Sequence, residues 1–197
     1  MKMDLHDIRK KVKKELDKGR YEHTKGVMYT AAALAMAHGY SVEKAMLAGL
    51  LHDCGKCTPT GEKIALCERH HILISKVERE NPSLLHAKAG MALAEEKYGV
   101  TDPEILHAIK VHTTGEPNMN TLDKIIFIAD YIEPGRDQAP HLDVIRQIAF
   151  ADLNQCMAEI LYDTLHYLSN RKGEIDPTTE ITYEFYQPYG KEQPWKQ

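Results

Sequence analysis

Apolar positions along this chain recur at three- and four-residue intervals, the spacing of helices, and no stretch shows the alternation of a strand. Asp4 to Asp17 predicts a charged amphipathic helix ended by Gly19. Tyr21 to His38 is Ala-rich with few breakers, and Gly39 follows as a C-cap. Ser41 opens the next helix, with Lys44 where a capping box would have its acid. Ala45, Ala48, Gly49 and His52 then share one face, made of small residues that let another helix come close. Thr58-Pro59-Thr60-Gly61 breaks the chain. A short helix from Glu62 to Arg69 and a polar connection from Glu78 to Ser83 lead to a helix from Leu84 to Tyr98, which stops at Gly99. Asp102-Pro103 supplies an N-cap and a first-turn proline for a helix ending near His112. Leu122 to Tyr131 is the most apolar helix, stopped by Glu133-Pro134-Gly135. One long helix is expected from Leu142 to Ser169. The tail after Gly173, with Pro177, Pro188 and Pro194 among tyrosines, reads as loop or short turns. Helix after helix without a strand pattern means an all-α bundle.

Length adds that 197 residues suffice for one domain with a real core. Residues 1–197 are expected to form that domain, with 171–197 as a tail packed on it. The formal charge of −4 lacks the basic surplus of a nucleic-acid groove binder, but leaves room for a small phosphorylated ligand held by a few cations. Met1-Lys2-Met3-Asp4-Leu5-His6 has no signal-peptide core, and no apolar run is long enough to span a bilayer. A cytoplasmic chain is expected, with Cys54, Cys57, Cys67 and Cys156 reduced. If the chain oligomerises, a homodimer is the common form.

The chemistry centres on Leu50-Leu51-His52-Asp53-Cys54-Gly55-Lys56. His23 lies upstream, His86 and His112 downstream, and Asp130 closes the apolar run Ile125-Ile126-Phe127-Ile128-Ala129. A polar group ending an apolar helix is costly unless bonded or metallated, so two such ends suggest a shared buried ion. Imidazole with carboxylate suits iron, manganese, zinc or cobalt. Asp53 has two oxygens with which to bridge two ions. His6, His38, His70, His71, His107, His141 and His166 read as ordinary surface or core residues. Cys54-Gly55-Lys56-Cys57 has redox spacing, but follows a helix rather than the strand of a thioredoxin-like fold.

The order His23, His52-Asp53, Asp130 resembles the HD-domain metal-dependent phosphohydrolases, over roughly Arg20 to Asp137, and His-Asp-x-x-Lys matches as His52 to Lys56. Within them the chain is most similar to the YqeK-type bacterial proteins. The matching stretches are Arg20 to Thr24, Leu50 to Cys54, His86 to Gly90, Ile109 to Gly115 and Ile128 to Arg136. The resemblance implies an HD-domain helical bundle that cleaves diadenosine tetraphosphate symmetrically to two ADP at an iron-containing site. Under it, His23, His52, Asp53 and Asp130 hold the metal. Lys56, Arg20 and Arg136 meet phosphate. His86 and His112 either contact phosphate, one of them as proton donor, or bind a second metal bridged by Asp53. Manganese or zinc fits the same ligand types as iron.

Two rival readings share these residues. One is another HD activity, a phosphodiesterase or a nucleotidase on a mononucleotide. The other is a nucleotide-binding sensor with a metal site and no turnover. The tail from Arg171 to Gln187 has the length and polarity to fold over a nucleotide; an ordinary surface segment is the simpler reading.

Overall fold

A computed structural model describes residues 4–170 and 174–191. Regular structure among them is entirely helical: α1 (Leu5–Glu15), α2 (Lys18–Ala37), α3 (Val42–Leu51), α4 (Thr60–Arg69), α5 (Lys76–Glu80), α6 (His86–Tyr98), α7 (Pro103–Val111), α8 (Thr121–Ile132), α9 (Leu142–Ala149), α10 (Leu153–Ser169) and α11 (Pro177–Tyr186), with a 3₁₀ turn from Gln187 to Tyr189. No helix of the described residues is long and apolar enough to cross a membrane.

Helix α2 lies against α3 and α8, and α7 packs on α6, α3 and α8. The core they enclose includes Val27, Leu34, Leu50, Leu51, Ile109, Ile125, Ile126 and Ile128. The small-residue face of α3 does what its composition suggests. A Cβ on Gly49 would stand 3.0 Å from the Met28 Cα, so α2 and α3 approach as far as a glycine permits. The turn after α3 is tighter still. A Cβ on Gly55 would meet the His86 carbonyl at 2.4 Å and the Gly90 nitrogen at 2.8 Å. Glycine at 55 is thus what allows the His52-Asp53 turn to rest on the first turns of α6.

Three expectations are corrected. The stretch from Leu142 to Ser169 is two helices. Asp152 interrupts it as an N-cap, its side chain accepting from the amides of Asn154 (2.9 Å) and Gln155 (3.1 Å). The connection from Glu78 to Ser83 begins inside the short helix α5, which Ser75 and Glu78 start with a capping box. The tail contains a full helix, α11, opened by Asp176 and Pro177. Residues 171–173 and 192–197 of that tail, with Pro194 and Trp195, lie outside the described residues.

Helix α11 docks on α10 and buries Thr179, Thr182 and Tyr186. The Tyr186 hydroxyl accepts from the amide of Met119 at 2.9 Å, and Thr182 packs against Gly115. The tail therefore braces the turn that follows His112. Tyr186→Phe is expected to cost about 1–3 kcal/mol, because it strands the buried Met119 N–H; a lower urea midpoint at unchanged slope checks it.

Candidate metal centre

The six singled-out ligand-type residues come from five helices and meet at one place. His52 caps the C-terminus of α3 and Asp53 follows it. His86 is the first residue of α6, and His112 caps α7. Asp130 lies in the last turns of α8, and His23 is the sixth residue of α2. His52, Asp53, His86 and His112 are all buried.

Each imidazole is held by its Nδ1. His52 Nδ1 lies 2.7 Å from the Gly49 carbonyl, His112 Nδ1 2.7 Å from that of Ile109, and His86 Nδ1 2.7 Å from that of Ser83. A carbonyl only accepts, so these three Nδ1 atoms carry the hydrogen, and in the neutral ring each Nε2 presents a lone pair inward. His23 Nδ1 bonds instead to Glu133 Oε1, at 3.0 Å.

The inward-facing atoms are close. His23 Nε2 stands 3.0 Å from Asp130 Oδ1 and 4.0 Å from Asp53 Oδ2. His52 Nε2 stands 3.5 Å from Asp53 Oδ2 and 3.9 Å from Asp130 Oδ1. The other Asp53 oxygen, Oδ1, faces His86 Nε2 at 3.3 Å and His112 Nε2 at 3.7 Å, and those two nitrogens are 3.2 Å apart. Asp53 thus divides the imidazoles into two pairs, one on each carboxylate oxygen. His23 Nε2, His52 Nε2 and Asp53 Oδ1 are buried without a hydrogen-bond partner. Unpaired buried acceptors of this kind are costly, and a cation among them removes the cost. Donor spacing and donor chemistry fit a borderline divalent metal.

Electrostatics follow the same plan. Burial pushes the Asp53 carboxyl up, but in the protonated form the surrounding imidazoles, His52 foremost, outweigh it with their charge and hydrogen bonds and hold it well below the usual carboxylate range. Asp130 is likewise held down, against burial, by His23, His52, His112 and Arg136. Burial brings the His86 imidazole down to about 4, so it is neutral near pH 7, the form that ligates or accepts.

The cations line the rim. Arg20 Nη1 donates to Asp53 Oδ2 at 2.7 Å. Arg136 donates to Asp130 twice, Nη2 to Oδ1 at 2.9 Å and Nε to the carbonyl at 3.1 Å. Lys56 Nζ lies 3.3 Å from His86 Nε2 and 3.9 Å from Asp53 Oδ1. A polar cavity of about 390 Å³ opens beside His23, walled by Arg20, Gly135, Arg136 and Gln138. A smaller one of about 120 Å³ lies across Arg136, lined by His112, Thr113, Phe127, Tyr131 and Ile160.

Sequence reasoning missed two contributors, Glu133 and Lys63, and expected hydroxyls near His86 and His112 from the Thr113-Thr114-Gly115 turn. Glu133 was read only as part of a helix stop. The Thr113 hydroxyl lies 3.2 Å from His86 Nε2 and 3.3 Å from His112 Nε2. Lys63 is buried on α4, on the face it shares with Leu66 and Cys67. Burial and the field of Lys56 push its ammonium pKa down, against the pull of Cys57 and Asp53. The signal for Lys63 was available: a lysine at i to an apolar i+3 and i+4 is misplaced unless it serves something. The cysteine pair does not form a disulfide. Cys57 is exposed, whereas Cys54 is buried and its thiol, raised by burial, donates to the Gly90 carbonyl.

Known proteins are similar to this chain in sequence and fold. A family model for the HD domain matches residues 20–135. A Bacillus subtilis (strain 168) protein named symmetrical bis(5′-nucleosyl)-tetraphosphatase is 39% identical over 172 residues, 87% of this chain and 91% of its own. A protein of the same name from Halalkalibacterium halodurans is 41% identical, with the same two shares. A crystal structure from Clostridium acetobutylicum, titled as a predicted HD superfamily hydrolase involved in NAD metabolism, matches with a TM-score of 0.90 at 36% identity, over 94% of this chain and 98% of that one. The chain belongs to the HD-domain family, in the group formed by the symmetrical bis(5′-nucleosyl)-tetraphosphatases.

Proposed function

We propose that this chain hydrolyses dinucleoside tetraphosphates symmetrically, diadenosine tetraphosphate giving two ADP. The observation that carries the reading is the buried cluster of inward-facing acceptors, edged by cations, in a chain whose relatives are named for that reaction. His23, His52, Asp53 and Asp130 would hold a divalent or trivalent transition metal; iron is the proposed ion, with manganese or zinc of matching ligand preference. Such an ion, when bound, supplies Lewis acidity that brings water toward deprotonation near neutral pH and polarises a phosphoryl oxygen.

The chain's own residues do the rest. Arg20 and Arg136 orient the Asp53 and Asp130 carboxylates and keep further N–H donors for phosphate. Lys56, with Lys63 behind it, meets the negative charge of the polyphosphate as point charges. The attacking water adds its oxygen to one of the two central phosphorus atoms. The bond from that phosphorus to the central bridging oxygen breaks, and the departing ADP takes up a proton. His112, once protonated at Nε2, would supply it, with neutral His86 and the Thr113 hydroxyl as further polar contacts. A second role for that pair is supported by their approach to Asp53 Oδ1, His86 Nε2 at 3.3 Å and His112 Nε2 at 3.7 Å, and by the grouping of His112 with His52 and Asp53 within 4.8 Å. With Asp53, His86 and His112 would then hold a second ion, which would add Lewis acidity beside the phosphate. Metal stoichiometry of protein purified without added metal separates the two roles.

Anion-exchange separation of the products is expected to give ADP alone; AMP with ATP would instead mark asymmetric cleavage, and no turnover of this substrate would favour a mononucleotide hydrolase or a sensor. Asp53→Ala is expected to lose both bound metal and hydrolysis while keeping its helix content. Lys56→Ala is expected to raise KM about tenfold or more, from loss of a charged contact worth about 1.5–3 kcal/mol; initial rates against substrate concentration check it.

A further inference from the structure

Glu133 ends α8, is 4% exposed, and turns its carboxylate back toward α2. Oε1 faces His23 Nδ1 at 3.0 Å, and Oε2 accepts from the Gly135 amide at 2.6 Å. Against the same carboxylate α2 presents Gly26, three residues after His23 and on the same side of the helix. A Cβ at position 26 would stand 2.3 Å from Glu133 Oε2, a distance real Cβ atoms essentially never show, and a tight 3.0 Å from its Cδ, so the carboxylate would have to shift.

We propose that Gly26 and Glu133 form a clamp that orients His23 for metal: the glycine leaves a slot, the carboxylate fills it, and the filled slot fixes the ring. The inference rests on His23 being a ligand, as proposed above. Among the four clustered imidazoles, His23 is the one oriented by a side chain. The other three bond to backbone carbonyls, whose positions the chain itself fixes. A carboxylate on a neighbouring helix end has no such guarantee and must itself be held. The Gly135 amide secures one oxygen, and the close passage of α2 at Gly26 confines the group from the other side. With the Nδ1 hydrogen given to Glu133, the Nε2 lone pair is directed at Asp130 and Asp53. An amide at 133 cannot serve both neighbours. Its one oxygen accepts from either His23 or Gly135, and its NH₂ then faces the remaining N–H. Glu133 and Gly26 are therefore positioning residues, acting through His23.

The test is Mn²⁺ binding to metal-stripped full-length protein by titration calorimetry, with far-UV circular dichroism as the check on folding. Gly26→Ala and Glu133→Gln are each expected to weaken Mn²⁺ about 10- to 100-fold at unchanged helix content. In a Glu133→Ala background the slot is already vacant, so adding Gly26→Ala is expected to cost nothing further. Wild-type affinity in both single variants overturns the clamp. So does a Gly26→Ala loss that stays full-sized in the Glu133→Ala background, which would place the glycine's role in α2 packing. Glu133→Gln, nearly unchanged in volume, carries the test if Gly26→Ala lowers the helix content. A wild-type chain that takes up no Mn²⁺ overturns the metal reading along with the clamp, and so differs from failure of the clamp alone.

Discussion

With the imidazoles neutral, acceptors face acceptors at the centre of this protein. Four imidazole nitrogens and two carboxylates stand 3.0–4.0 Å from their neighbours, and several of these atoms have no hydrogen-bond partner. Like partial charges at such distances repel, and in a buried setting water screens them little. The cluster persists because the helices that carry it are packed too closely to spread. Gly49 brings α3 onto α2, and Gly55 brings the His52-Asp53 turn onto α6. Core packing therefore works against local electrostatics, and a positive charge at the centre reconciles the two. Ligand preorganisation of this kind lets a bound ion stabilise the native state as it binds.

Helix ends are what make the arrangement possible. The last-turn carbonyls of a helix have no amide left to serve within it. In α3 and α7 the carbonyl three residues before the capping histidine takes the Nδ1 hydrogen, Gly49 for His52 and Ile109 for His112. One bond satisfies a terminal carbonyl, fixes a tautomer and aims a lone pair. The negative end of each helix dipole also falls beside the cluster, where it favours a cation. The same geometry thus supplies two inward-facing imidazoles from two unrelated helices.

Much of this was legible because it obeys local rules. The small-residue face of α3, the Asp102-Pro103 start of α7 and the charged end of the apolar α8 each announced their place. What misled was local too. Apolar spacing continues across Phe150-Ala151-Asp152, so periodicity joined α9 to α10 although Asp152 restarts the helix with its own side chain. Pro177 was weighed as a breaker, yet Asp176-Pro177 is the same starting pair as Asp102-Pro103. Its register confirms a helix, with Thr179, Thr182 and Tyr186 on the buried face. Glu133 and Gly26 stayed hidden because their relation is tertiary. Nothing in a sequence says that a carboxylate at residue 133 needs the space left by a missing Cβ at residue 26.

The division of labour among the cations follows from their shapes. Both arginines already bond to the carboxylates that face the imidazoles, Arg20 to Asp53 and Arg136 to Asp130. A guanidinium has five N–H donors, and these contacts use only one or two of them. Each arginine can therefore hold a carboxylate in register while offering its remaining donors to phosphate, which an ammonium, a compact point charge, does less specifically. Lys56 sits on the other oxygen of Asp53, beside His86, and adds charge there. A tetraphosphate bridging two nucleosides is long and highly anionic. It suits a site whose positive charge is spread along a rim, with cavities on both sides of Arg136, better than one concentrated at a point.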